Sequence, residues 1–127
     1  MLRRFLGLAL VVWLLAPVAL AQGGDAGDAR ERFLRGQTAY QEGKYDLAIE
    51  EWNAAYALDP RSRILFNLSQ AYERAGKLAD AVATLEQFLE RIDEGDPVRE
   101  TAIARLSTMR ERLRRTGLRI VDAPSGA

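Results

Sequence analysis

The sequence predicts an all-α protein whose helices form antiparallel hairpins. Apolar residues recur at intervals of three and four along five segments, as they do on one face of a helix. Glycine or proline marks the short connections between these segments, so consecutive helices should fold back on each other. The stretches AYQEGKYDLAIEEW (39–52) and AYERAGKLADAVATL (71–85) also place small and large residues in the same order, about 33 positions apart.

Composition limits the chemistry that the chain can perform. The 127 residues give room for one small domain, and they include no cysteine and no histidine. Disulfides, thiolate metal sites, thiol nucleophiles and imidazole bases are therefore excluded. Acidic and basic residues balance, which gives no reason to expect nucleic acid as a partner.

Residues 1–21 have the pattern of a secretory signal peptide. Arg3 and Arg4 precede an apolar stretch, and small residues precede Gln22. We expect cleavage between Ala21 and Gln22 and export to the periplasm or the medium, by the general or the twin-arginine route. The alternative is an uncleaved N-terminal anchor, the one case in which the chain would meet a membrane.

Residues 22–28 (QGGDAGD) are rich in glycine and predict a flexible spacer. Asp28 could then cap a first helix that begins at Ala29 and runs to about Glu42. Gly43 stands where a left-handed residue would end that helix.

Two further helices follow from the apolar spacing. Asp59 and Pro60 should stop the second helix, because proline disfavours a helical residue before it. Ser62 is a candidate N-cap for the third helix, which should end at Gly76. The apolar stripes of these helices comprise Tyr45, Ala48, Ile49, Trp52, Ala55 and Tyr56, and then Leu65, Leu68, Ala71 and Tyr72.

The last two helices complete a helical domain over residues 29–115. A connector separates them, in which Asp96 is the expected N-cap and Pro97 the first helical residue. The fifth helix should cover the apolar face that the repeats leave open. The stripes comprise Leu78, Ala81, Val82, Leu85, Phe88, Leu89 and Ile92, and then Val98, Ala102, Leu106, Met109 and Leu113.

The repeated order of residues resembles the tetratricopeptide repeat over roughly residues 29–92. Small residues stand at matching places in both units, where they let helix backbones approach closely, and large residues stand beside them. The matching positions are Gly36 with Ser69, Ala48 with Ala81, and Trp52 with Leu85. The resemblance implies a short right-handed solenoid of two repeats and a capping helix.

The first unit departs from the family pattern. Arg32 and Arg35 stand where large apolar residues are usual, and Ala39 takes the usual tyrosine position beside Tyr40. We expect a less buried first helix, as in a terminal repeat.

The resemblance also implies a function, which is to bind a protein or peptide partner in the concave groove lined by the first helix of each unit. Asn67 is the strongest candidate, because a side-chain amide both donates to and accepts from a peptide backbone. Phe66 and Gln70 stand where some relatives carry the lysine and asparagine that clamp a terminal carboxylate. The groove candidates are Phe33, Gln37, Tyr40, Gln41, Phe66, Asn67, Gln70, Glu73 and Arg74.

No constellation in the sequence predicts an enzyme, a cofactor or a metal site. Adjacent Glu50 and Glu51 diverge on a helix. The acidic residues Asp93, Glu94 and Asp96 lack the ligand order of a calcium loop. The basic residues near the C-terminus fit an interaction with a helix dipole, and the alternative is an anionic partner. These residues are Arg110, Arg112, Arg114, Arg115 and Arg119.

Residues 116–127 form a tail that resembles the opening of the β-rich module named after its Pro-Glu-Gly-Ala motif. The matching residues run from Pro124 to Ala127, with Ser125 in place of the glutamate. This resemblance implies a strand over Leu118–Val121. It also gives an alternative function, a structural spacer or docking stem for a β-rich envelope module.

Overall fold

The structure, a computed structural model, describes residues 19–121, with side chains from residue 24 to residue 117. Each helix packs on the next, so the chain forms successive antiparallel hairpins. No strand occurs between residues 19 and 121, which confirms the predicted all-α helical repeat. The helices are α1 (Ala19–Gln41), α2 (Tyr45–Leu58), α3 (Ser62–Arg74), α4 (Leu78–Arg91) and α5 (Arg99–Val121).

In both hairpins, a glycine in the same conformation ends the first helix. Gly43 and Gly76 have φ values of 76° and 78°, the left-handed region that glycine enters without a steric cost. After α1, the Lys44 amide donates to the Ala39 carbonyl at 2.8 Å, and after α3 the Lys77 amide donates to the Tyr72 carbonyl at 2.9 Å. The two repeats therefore share their turn geometry down to individual hydrogen bonds.

The core lies along the faces that the apolar spacing predicted. Ala48 and Ala81 are fully buried at matching positions of α2 and α4. Small side chains at these points let the neighbouring backbones approach, while larger ones fill the space beside them. The buried apolar residues include Ile49, Trp52, Ala55, Ile64, Leu65, Leu68, Ala71, Val82, Leu85, Phe88, Ala102, Leu106 and Met109.

The closest approach in the first repeat is between Gly36 and Trp52. A Cβ atom on Gly36 would lie 2.5 Å from both Cδ1 and Nε1 of the indole. The Trp52 Nε1 donates a hydrogen bond to the Phe33 carbonyl at 3.0 Å, which holds the ring against α1. Only glycine fits at position 36 as long as the indole keeps this place.

The second repeat has different residues at the two corresponding positions. Ser69 replaces the glycine and Leu85 replaces the tryptophan, and both side chains are fully buried. The Ser69 hydroxyl donates to the Phe66 carbonyl at 2.7 Å, so burial leaves no unpaired polar group there. A smaller partner on α4 thus leaves room for one more side chain on α3.

The predicted flexible spacer is wrong, because α1 already includes residues 22–28 and no helix begins at Ala29. Extending an existing helix adds a hydrogen bond per residue without a new nucleus, so Gly24 and Gly27 are tolerated. A Cβ on either glycine would meet nothing within 4 Å. Residues 1–18 of the predicted signal peptide lie outside the described residues.

Two other helix ends differ from the prediction. Ser62 is the first residue of α3, and Arg61 takes the N-cap position without a side-chain hydrogen bond. The strand expected over Leu118–Val121 is wrong, since α5 continues to Val121. A lone strand has no partner for its backbone groups, whereas a helix satisfies its own. Residues 122–127, with the Pro124–Ala127 motif, lie outside the described residues.

Ionic contacts replace apolar ones on the outer side of the first repeat. Glu51 of α2 is only 9% exposed. Both of its carboxylate oxygens accept from Arg32 at 3.3 Å, and Arg35 lies at the same distance from one of them. The two arginines that depart from the family pattern therefore pair with a buried carboxylate, and they give this end of the solenoid a polar surface.

Polar contacts attach α5 to the two helices before it. Arg99 donates to the Leu89 carbonyl at the end of α4 at 3.0 Å. Glu73 of α3 accepts from Arg105 at 2.8 Å and from Arg112 at 2.6 Å. Asp96 accepts from the Val98 amide at 2.9 Å. The helix starts at Arg99 and not at the predicted Pro97, so this bond caps the turn that leads into α5.

The Glu73 cluster changes the titration of its carboxylate. Burial alone would raise the pKa of Glu73, but hydrogen bonds and charge from Arg105 and Arg112 outweigh it and hold the pKa below its ordinary value. A carboxylate with a lowered folded-state pKa stabilises the fold above the pH at which the unfolded residue titrates. This contribution is lost as the pH falls through the folded-state value.

A Gly36→Ala substitution should lower the free energy of unfolding by about 1–3 kcal/mol, because the new methyl group overlaps an indole that is fixed by its own hydrogen bond. Urea unfolding followed by circular dichroism measures the effect. Gly27→Ala in the same helix is the matched control and should be neutral or slightly stabilising, since nothing surrounds that position. Equal midpoints for wild type and Gly36→Ala would contradict the close contact.

A Glu73→Gln substitution should lower the urea midpoint at neutral pH, and this effect should diminish as the pH falls through the lowered pKa of Glu73, where the wild-type carboxylate also loses its charge. The difference between the two midpoints should shrink steadily on acidification. Glu90→Gln, which changes an exposed glutamate of α4, should match wild type throughout this range. A pH-independent difference would mean that the cluster acts only through packing.

Candidate partner-binding face

The groove candidates lie on α1 and α3, and α2 packs against both helices. We call this set the α1–α3 face: Phe33, Gln37, Tyr40, Gln41, Phe66, Asn67, Gln70, Glu73 and Arg74. Gln37, Gln41 and Arg74 are exposed, and the other six side chains are half-buried. The face therefore combines accessible polar groups with rings that are anchored in the core.

An aromatic cluster supports the α1 side of the face. The rings of Phe33 and Tyr40 lie 6.1 Å and 5.6 Å from the Trp52 ring, measured between centroids. Tyr45 meets Tyr40 edge to face at 5.4 Å. These contacts fix Phe33 and Tyr40 in place, and both residues remain half-buried.

The α3 side is fixed by two contacts of different kinds. Phe66 lies 5.2 Å from Phe88 of α4, between ring centroids. Asn53 of α2 donates to the Tyr72 hydroxyl at 3.2 Å, which ties α2 to α3 next to the face. The side chains of Asn67 and Gln70 form no hydrogen bond with any other described side chain. Their amides keep both donor and acceptor capacity for a peptide backbone.

Glu73 differs from the other eight candidates. Both of its carboxylate oxygens are taken by Arg105 and Arg112 of α5. Sequence reasoning missed this because the positions of α3 and α5 relative to each other depend on how both pack on α4. Its neighbours on α3, the half-buried Gln70 and the exposed Arg74, make no side-chain hydrogen bond with the other described residues.

Several basic residues of α5 pair with neighbouring carboxylates. Arg110 pairs with Glu86, and Arg114 and Arg115 pair with Glu111. Arg112 belongs to the Glu73 cluster, and the side chain of Arg119 lies outside the described range. Because Glu73 and Glu111 are each shared by two arginines, these pairs lower the positive charge that the described part of α5 offers to an anionic partner without cancelling it.

In the acidic connector, Asp96 accepts a hydrogen bond from the Val98 amide, within the turn that leads into α5. Between residues 19 and 121, no three acidic side chains come together in a group that could hold a metal ion. Nor does any helix in that span have the length and apolar content needed to cross a bilayer.

A comparison with protein families agrees with the repeated geometry. A family profile described as tetratricopeptide repeat matches residues 33–97, slightly more than half of the chain. The match covers α2, α3 and α4 with the C-terminal part of α1, and it ends just before α5, the helix expected to act as a cap. A comparison with curated proteins finds no match. Together with the paired glycine caps and the matched small residues, the profile shows that the chain belongs to the tetratricopeptide repeat family.

Proposed function

We propose that this protein is an exported, non-catalytic scaffold that binds a protein or peptide partner through the α1–α3 face. Tetratricopeptide repeats in general mediate protein–protein interaction and are not catalytic. The observation that supports this face is the pair of half-buried amides, Asn67 and Gln70, that make no hydrogen bond with the described side chains. Because the fold does not use these two side-chain amides, each keeps a donor and an acceptor that a peptide backbone could pair with.

The anchored aromatics explain how such a face would gain affinity. Phe33, Tyr40 and Phe66 are held by Trp52 and Phe88, so binding requires little side-chain ordering. Rigid rings supply contact area, and the surrounding amides supply orientation. This division of roles suits an extended peptide better than a small metabolite.

The alternative function, a docking stem for a β-rich module, rests on Pro124–Ala127 outside the described residues. The helical course of α5 up to Val121 gives it no support from the preceding segment.

Affinity capture from an extract of the native cell envelope tests the binding face. Asn67→Ala, Gln70→Ala and Arg74→Ala should each reduce recovery of the wild-type partner, because each removes a group that the fold itself does not use. Gln87→Ala changes an exposed glutamine of α4 and should leave recovery unchanged. If all three face variants recover the same proteins as wild type, the face is not the binding site.

The proposal of export has its own test. The N-terminal sequence of the protein isolated from the extracytoplasmic fraction should begin at Gln22. Replacing the small residue at the cleavage site, as in Ala21→Tyr, should leave the precursor uncleaved, because the site requires small side chains. Wild-type protein that keeps Met1 in that fraction would support the uncleaved anchor instead, and confinement to the cytoplasm would contradict export.

A further inference from the structure

A pocket opens between the early turns of α1, the α2–α3 connection and the start of α3. Its cavity volume is about 450 Å³, large enough for an amino-acid side chain with its neighbours. Ala26, from the stretch predicted as a spacer, forms part of one wall. The part of α1 that precedes the predicted helix start therefore contributes one wall of the pocket.

The floor of this pocket is apolar and rigid. Ile64 is 5% exposed, and Ala29 beside it is also buried. Phe33 forms another wall, and its backbone carbonyl and ring are both held by Trp52. An apolar side chain that enters would replace water over this floor without displacing any residue.

The rim is positively charged. Arg30 of α1, Arg61 of the connection and Arg63 of α3 all line the pocket. Asp59 pairs with Arg61 at 2.6 Å. Among residues 24–117, no carboxylate pairs with Arg30 or Arg63, in contrast to the paired arginines of α5. The N-terminus of α3 also lies here without a side-chain cap, which adds a partial positive charge.

These features describe a complementary ligand. An apolar side chain would fit the floor. Carboxylates on either side of it would pair with Arg30 and Arg63, which have no carboxylate partner among residues 24–117. Backbone bonds fix the rim, since the Arg61 amide donates to the Asp59 carbonyl at 2.8 Å and the Ile64 amide donates to the Arg61 carbonyl at 3.0 Å. The backbone that carries Arg61 and Arg63 is therefore ordered before a ligand arrives, and it loses little freedom on binding.

We propose that this pocket binds an acidic segment of the partner by inserting one aliphatic side chain over Ile64 and Phe33 while flanking carboxylates pair with Arg30 and Arg63. The inference rests on the proposed partner-binding function and names the chemistry of the partner at one end of the α1–α3 face. Recognition is by flanking side-chain carboxylates, so it requires no free peptide terminus.

Fluorescence anisotropy with a labelled short peptide tests this directly. The probe is capped at both ends and has a central leucine flanked by aspartates. Wild-type protein should bind it, and binding should weaken at least about tenfold when the leucine becomes alanine or the aspartates become asparagines. Equal binding of either altered peptide would overturn the proposal, as would the absence of binding to the wild-type protein.

Variants of the protein separate the pocket from general charge effects. Arg30→Glu with Arg63→Glu should weaken binding at least about tenfold, because two attractive pairs become repulsive. Arg114→Glu with Arg115→Glu makes the same charge change on α5 and should leave binding unchanged. If both double variants weaken binding equally, the effect is one of net charge and the pocket is not the site.

A third variant fills the cavity without changing any charge. Ala26→Trp should abolish peptide binding while leaving the urea midpoint unchanged, since Ala26 is exposed. Ala83→Trp, at an exposed position of α4, is its control and should bind normally. Peptide binding that survives Ala26→Trp would contradict the pocket as the site.

Two further outcomes separate this inference from the proposed function and from another ligand class. Partner capture that depends on Asn67 but not on Arg30 and Arg63 would overturn the pocket inference alone and leave the α1–α3 face in place. Tighter binding of a single-stranded oligonucleotide, lost in the Arg30→Glu and Arg63→Glu variant, would overturn the peptide as the ligand.

Discussion

The close approach of Trp52 to Gly36 is the contact on which the rest of the structure depends. The indole fills the space between α1 and α2, and its hydrogen bond to the Phe33 carbonyl sets the rotation of α1 about its axis. That rotation places Phe33 and Tyr40, two residues of the α1–α3 face, against the indole ring. The same rotation brings the early turns of α1 over the start of α3. One close contact thus positions both the proposed face and the proposed pocket.

The two ends of the repeat array are finished in different ways. At the first end, Arg32 and Arg35 occupy positions that would be apolar inside a longer array. Both arginines pair with the buried carboxylate of Glu51. At the other end, α5 covers the open apolar face with its own stripe, and the Glu73 cluster ties it to α3. Two repeats alone would leave both apolar ends in water. Polar substitution and a covering helix solve this problem without lengthening the array.

The sequence predicted those features that depend on residues close together along the chain. Gly43 and Gly76 mark the turns because a left-handed residue is needed there, and periodic apolar residues mark the buried faces. It mispredicted the start of α1, because glycines that indicate flexibility in isolation are tolerated when a helix is already formed beside them. The sequence did not predict that Arg105 and Arg112 of α5 pair with Glu73. It did not predict the arginine-rimmed pocket either. Both depend on how separate helices meet, which a single sequence read along the chain does not contain.

A double-mutant cycle between Gly36→Ser and Trp52→Leu tests the central contact most directly, because it rebuilds in the first repeat the residue pair found in the second. Gly36→Ser should lower the free energy of unfolding by about 1–3 kcal/mol in the wild-type background. In the Trp52→Leu background the same change should cost little, since the smaller side chain leaves room for serine, giving a coupling of at least about 1 kcal/mol. Additive effects within about 0.5 kcal/mol would show that the two residues do not constrain each other and would contradict this view of the fold.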